Sequence, residues 1–296
     1  MSSSSSRWEV LVKSPLVVVA LVALLTSSAC ETEPHVPVPY PKREPPPGRL
    51  ENSASFLMDE LRIRNMNILS WQIDRAEFDA RVEACIEQGD DTIAFFLTNR
   101  GDGHPPKTSF YAGDEYGGPV DDDRAAEMSA RIRHAIERGL RIHLWVWADD
   151  SGFQGFSDDL HREHLSRCVE QFDELADAWC VGLELDEWLD RSRIHRLTAD
   201  LKDITDKPVG VHFTRLKKWN WTIGARADIL FGQYGFGKTA DEIRSMTEDV
   251  VRKLDGRAQY WAWEYHKSAE SDEAKALGDA AKSVPGCLGT GCGRSR

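Results

Sequence analysis

Two short stretches of this 296-residue chain put carboxylates where they could do chemistry: Glu184-Leu185-Asp186-Glu187-Trp188 and Trp261-Ala262-Trp263-Glu264-Tyr265. Each places an acid at the end of an apolar, aromatic run, where burying it is costly unless it is used. One carboxyl held protonated and another held ionised can cleave a glycosidic bond. The first gives its proton to the leaving oxygen, and the second attacks the anomeric carbon or activates water. Trp188, Trp263 and Tyr265 would exclude water and raise the pKa of the acid, whereas Arg100 or His212 nearby would keep the nucleophile ionised.

The elements that must position these acids alternate in type along the chain. Short apolar, β-branched or aromatic runs predict strands over Met66-Trp71, Thr92-Thr98, Ile142-Trp147, Trp179-Leu185, Val209-Phe213, Ile229-Tyr234, Gln259-Glu264 and Cys287-Thr290. Amphipathic stretches between them predict helices over Ala76-Glu87, Arg124-Arg138, Asp159-Leu175, Arg191-Ile204, Ala240-Leu254 and Ser268-Lys282, with Asp123 and Thr239 as N-caps. Such alternation is the signature of parallel βα units. An open doubly wound sheet would carry a Gly-rich turn after its first strand, but Ser70-Trp71-Gln72 has no glycine. Eight units over about 240 residues fit an α/β fold of the (β/α)8 TIM-barrel type, parallel and eight-stranded.

In such a barrel the site lies at the C-terminal ends of the strands. In this chain those ends are Trp71, Arg100, Trp147 with Asp149, the Glu184-Trp188 stretch, His212, Gln233-Tyr234 and Trp263-Glu264. Period-two alternation places Glu184 and Asp186 on one face and Glu187 on the other unless the strand has already ended, so all three stay open as the acid. The Asn99–Asp122 connection is long enough to cover a substrate or to be a surface insertion, and its Asp121-Asp122-Asp123 run can cap a helix or bind a cation. Trp145 and Trp147 fall on one face, with at least one in the core. Trp219 and Trp221 fit either structure or a sugar platform.

The ends of the chain are of a different kind. Arg7 and Lys13, the apolar run Leu16-Leu25 and the small residues before Cys30 have the layout of a signal peptide over residues 1–29. The small residues before Cys30 resemble a lipobox, so that either Cys30 is lipidated or ordinary cleavage occurs nearby; both readings export the protein, secreted or held at the cell envelope. Residues 30–49 hold seven of the thirteen prolines, from Pro34 to Pro47, and form a tether, leaving 50–296 as the barrel. The remaining cysteines, Cys85, Cys168, Cys180, Cys287 and Cys292, form no CxxC motif, and Cys287 and Cys292 are either a bridge or two thiols. A net charge of −12 argues against nucleic acid and favours a neutral or cationic partner.

On these residues the chain resembles the retaining (β/α)8 glycoside hydrolases of the 4/7 superfamily, clan A. The resemblance implies an acid/base Glu after strand four, matched by Glu187 following Asp186, with Glu184 as competitor, and a nucleophile after strand seven, matched by Glu264. It also implies that Arg100, His212 and Tyr234 hold the nucleophile and the sugar. Asp186 stands where the family carries Asn, a sugar contact; Trp71, Trp147, Asp149 and Trp263 complete the expected binding residues. A carbohydrate substrate, no metal or other cofactor, and membrane contact only through the lipid anchor are expected. Two other readings stand beside this one: a catalytically silent carbohydrate-binding barrel, and a phosphate-handling barrel motivated by Gly286, Gly289, Gly291 and Gly293 near strand eight.

Overall fold

The computed structural model describes residues 66–69, 74–100, 107–112, 117–148, 155–266 and 271–291. Cys30, Trp71, Asp149 and Cys292 lie outside the described residues, as do the signal segment and the tether. Among the described residues no helix is long and apolar enough to cross a membrane.

The strands are β1 (Met66–Leu69), β2 (Thr92–Arg100), β3 (Lys107–Thr108), β4 (Arg141–Trp147), β5 (Ala178–Gly182), β6 (Val209–Phe213), β7 (Ile229–Gln233), β8 (Gln259–Trp263) and β9 (Cys287–Gly291). The helices are α1 (Arg75–Glu87), α2 (Asp122–Glu137), α3 (Asp158–Phe172), α4 (Leu185–Trp188), α5 (Arg191–Ile204), α6 (Trp219–Ala225), α7 (Ala240–Leu254) and α8 (Asp272–Lys282). Each strand except β3 pairs in parallel with its neighbours, and β1 pairs with both β2 and β9. The sheet therefore closes on itself as a (β/α)8 barrel. Closure leaves no edge for another chain to pair with. β3 is a small antiparallel addition to the end of β2, with Asn99 opposite Thr108.

Period-two alternation divides the core in two. Inside the barrel, strands alone supply a cluster that includes Phe96, Trp145, Cys180, Phe231, Trp261 and Trp263. Outside, Phe95, Leu144, Val181 and Tyr260 pack with helix residues such as Phe78, Leu165, Leu201 and Leu254. Most barrels fill the interior with branched aliphatics; this one uses indoles, with Trp145 and Trp263 5.1 Å apart.

Two boundaries near the site differ from the sequence-based expectation, and a third agrees with it. The fourth barrel strand stops at Gly182, and the apolar pattern that carried the prediction to Leu185 belongs to a turn of helix, in which the Glu187 N–H donates to the Glu184 carbonyl at 2.9 Å. The second helix begins earlier, capped by Asp121, whose side chain accepts from Arg124 N. The Asp run thus acts as cap and first turn. Thr239 caps α7 in a full capping box with Glu242.

Candidate active site

Glu184 and Glu264 leave the barrel at the same end, just beyond its fourth and seventh strands, and their surroundings are built alike. Both are half-buried, and both hold the left-handed backbone conformation, with φ of 50° and 45°. Among the described residues the other two non-glycine residues with positive φ, Arg226 and Asp255, are helix C-caps. In each acid's neighbourhood the preceding residue packs into the barrel and the following one packs outward among the helices: Leu183 and Leu185 around Glu184, Trp263 and Tyr265 around Glu264. In an unbroken strand those flanking residues would share a face. The left-handed residue between them makes the switch, at a cost of about 1–3 kcal/mol when it is not glycine. The Glu264 N–H still donates to Gly291 O at 2.9 Å.

His212 fixes the first of these turns. Its Nδ1 accepts the Glu184 N–H at 2.8 Å, so the neutral ring carries its proton on Nε2. Burial pushes the His212 pKa down to about 3. The ring is therefore uncharged at ordinary pH and brings no positive charge to the site. His212 lies 5.6 Å from Trp145 and 6.2 Å from Trp263, ring centre to ring centre. These three residues come from the third, fifth and seventh barrel strands and form one layer. His212 Nε2, Trp145 Nε1 and Trp263 Nε1 are all buried without a hydrogen-bond partner among the described residues. Trp263 continues directly into Glu264, so this layer carries both glutamates at its margin.

The other expected site residues fall in different places. Glu187 is exposed on α4. Asp186 is buried, accepting from Thr214 N at 2.8 Å and pairing with Lys218 Nζ at 3.3 Å. It pins α4 to the loop after β6, which corrects its assignment as a sugar contact. Trp147 is fully buried, 5.3 and 5.2 Å from His161 and His164 of α3, because the alternation breaks after Val146; it faces a helix, not the barrel mouth. Tyr234 also faces outward, bonding Thr247 Oγ1 of α7 at 2.5 Å and Tyr260 Oη at 2.8 Å. Neither residue is available to a ligand. Arg100 ends β2, on the side of the barrel where the glutamates emerge. Trp221 is half-buried beneath Lys218, whose Nζ lies 4.4 Å from the ring centre.

Sequence reasoning named Trp145 and Gln233 but gave neither a role at the site. Trp145 sits in the interior layer, and Gln233 follows Phe231 by two on the same strand, with its Oε1 buried and unpartnered. The missed cue at Gln233 was strand parity, since Phe231 faces in and Tyr234 is three residues on. The long connection after β2 is anchored by Phe110 and Tyr111, with the Tyr111 hydroxyl 2.9 Å from His164 Nδ1. Among the described residues no group of three or more His, Cys, Asp or Glu side chains is gathered to hold a metal ion.

No protein-family model and no curated protein matches the sequence. Solved structures do match in backbone path. A candidate glycoside hydrolase from Bacteroides vulgatus superposes with a TM-score of 0.58 at 11% identity, over 77% of this chain and 50% of that one. The chain thus spans about half the length of that protein. A GH113 β-1,4-mannanase gives 0.56 at 12% identity, over 78% and 87% of the two chains. The GH113 β-mannanase AaManA from Alicyclobacillus acidocaldarius gives 0.51 at 15% identity, over 78% and 85%. At such identities the likeness is one of fold, and the fold these proteins share with the present chain is the (β/α)8 barrel.

Proposed function

We propose that the protein is a glycoside hydrolase acting by retention, with Glu264 as nucleophile and Glu184 as acid/base. The observation that carries this reading is the matched construction of the two strand ends, each a half-buried glutamate in a strained backbone conformation at the same end of one barrel. Strain of this kind persists only where the surroundings enforce it, and it gathers at active sites. Glu184 takes the role that the sequence pattern offered to Glu187, because Glu187 is exposed on α4 while Glu184 is half-buried at the end of its strand, as Glu264 is. The hydrolases among the structural neighbours support the same reaction class, and β-mannan and cellulose belong in a first substrate panel.

In the first step Glu184 gives its proton to the leaving oxygen while the Glu264 carboxylate bonds the anomeric carbon. Water then attacks that carbon, its proton passes to Glu184, and Glu264 is released. His212 acts as a positioning residue: its Nδ1 holds the Glu184 backbone, and its depressed pKa keeps that acceptor in place across the working pH range.

The test is release of reducing ends by the full-length chain, with the anomer of the first product read by NMR. Glu264→Gln should lower kcat by about 10³-fold or more, and Glu184→Ala by about 10²–10⁴-fold. Azide or an activated leaving group should restore turnover to Glu184→Ala, and Glu187→Ala should behave as wild type. Loss of activity in Glu187→Ala with full activity in Glu184→Ala would return the acid to Glu187. An inverted product would rule out retention.

A further inference from the structure

We propose that the loops after β6 and β7 form a subsite for a negatively charged sugar, which makes the substrate an anionic glycan. This rests on the glycoside-hydrolase reading for its reaction, though not for its binding. Between Thr214 and Ala240 the sequence holds Arg215, Lys217, Lys218, Arg226 and Lys238 against one acid, Asp228. Asp228 belongs to the other end of the barrel, just before β7, where it accepts from Val209 N at 2.9 Å and from Lys202 Nζ at 2.5 Å. The mouth loops therefore carry Arg215, Lys217, Lys218 and Lys238 with no acid of their own, in a chain whose net charge is −12.

Of these cations, Lys218 is committed to Asp186. Arg215 and Lys217 are exposed, Lys238 is half-buried, and none of the three has an acid within ion-pair distance among the described residues. The acids closest to Lys238 in the chain are Asp241, which pairs with Arg244 Nη1 at 3.3 Å, and Glu242, whose carboxylate is held chiefly by Thr239 N at 2.8 Å and by Thr239 Oγ1. On the helices, by contrast, arginines are matched to acids, as in Arg138 with Glu83 and Arg162 with Asp200.

The fold places the loops that carry the three cations at the ends of adjacent strands. β6 and β7 are hydrogen-bonded neighbours, with Phe213 opposite Gly232. Leu216 lies over the end of β7, where a Cβ on Gly232 would be 2.5 Å from its Cδ2. Arg215 and Lys217 thus flank a side chain seated on the strand from which the Lys238 loop departs. β6 and β7 are also the two strands between β5 and β8, so this rim lies between the strands that deliver Glu184 and Glu264. At its tip Phe236 is half exposed, held between Gly235 and Gly237 with φ of 73° and 78°. An aromatic face there suits the apolar face of a sugar ring, and the flanking cations suit a carboxylate or a sulfate. Net charge alone favours a neutral partner, but at physiological salt charges act over about 8 Å, so the cations of this rim count for more here than the total for the chain.

The experiment compares three ligands on the full-length protein: a polyuronate, the same polymer after carboxyl reduction, and a sulfated glycan. Binding is measured by titration, and turnover by reducing ends, at low salt and at about 0.5 M salt, where screening is nearly complete. One of the anionic polymers should bind about tenfold or more tightly than the neutral one, and lose that advantage at high salt. The Lys217→Gln/Lys238→Gln double variant should weaken anionic binding and raise KM about tenfold, leaving kcat and use of the neutral polymer unchanged. Equal binding of neutral and anionic polymers, or no effect of the double variant, overturns the proposal. Cleavage of a neutral glycan with no preference for anions overturns it while leaving the hydrolase reading intact. Charge-dependent binding with no cleavage of any glycan does the reverse.

Discussion

Glu184 and Glu264 occupy a conformation that every residue except glycine resists, because Cβ then crowds the carbonyl oxygen. Their identity is therefore not explained by stability. Glu264→Gly should be more stable than Glu264→Ala by about 1 kcal/mol, the reverse of the usual order, because only glycine relaxes the φ of 45°. Denaturant midpoints of the two inactive variants measure this directly, and equal midpoints would mean that residue 264 is not held left-handed. Both glutamates could be singled out from the sequence, each being an acid that ends an apolar run. The choice among Glu184, Asp186 and Glu187 could not be read there, since parity fails once the backbone turns. That choice depended on where β5 stops and on the His212 ring that accepts the Glu184 N–H.

Elements place these residues by close contacts between neighbouring strands. Trp263 lies against Gly291 of β9, its partner in register, and a Cβ built at Gly291 would lie 2.0 Å from the indole. The glycines of the last strand are thus explained at this position by packing, with no phosphate needed. Gly291→Ala must displace Trp263, the residue before Glu264, and Gly291 also accepts the Glu264 N–H. It should cost about 1–3 kcal/mol of stability, as overpacking does, and lower turnover beyond what the stability loss explains. Urea midpoints, tryptophan fluorescence and kcat test this together; an unchanged spectrum with full activity would contradict the contact. Helix boundaries were legible where a cap names them, as at Thr239. The end of β5 was not, because the apolar residues that continue its pattern serve a different helix-forming turn.

For the whole molecule, three of the four fully buried histidines among the described residues set a response to acid. His143 in the barrel, His164 on α3 and His212 at the site each have a pKa pushed down to about 3, in every case chiefly by burial. In the unfolded chain an imidazole takes up a proton below about 6.5, whereas the folded chain refuses it until about 3. The unfolded state then binds more protons, so stability rises with pH across that window and falls on acidification. Each histidine contributes up to about 1.4 kcal/mol per pH unit. Neither His143 nitrogen has a hydrogen-bond partner, so His143→Leu should not lose stability at pH 7, and its stability between pH 6 and 3 should fall less steeply by about one proton. An unchanged slope in urea titrations would show that His143 titrates normally.

The βα alternation, the barrel class and the acid that ends the seventh barrel strand can be read from the sequence. Those follow from period and composition, which are local properties. Only the tertiary structure decided which faces point inward. It moved Trp147 and Tyr234 to the helix side, engaged Asp186 with Thr214 and Lys218, and matched Glu184 to Glu264. It also set Arg215, Lys217 and Lys238 on one rim of an acidic protein. The physical reason is the same in each case: a strand's alternation holds only while its backbone stays extended, and a single left-handed residue or a break in register reverses every facing beyond it.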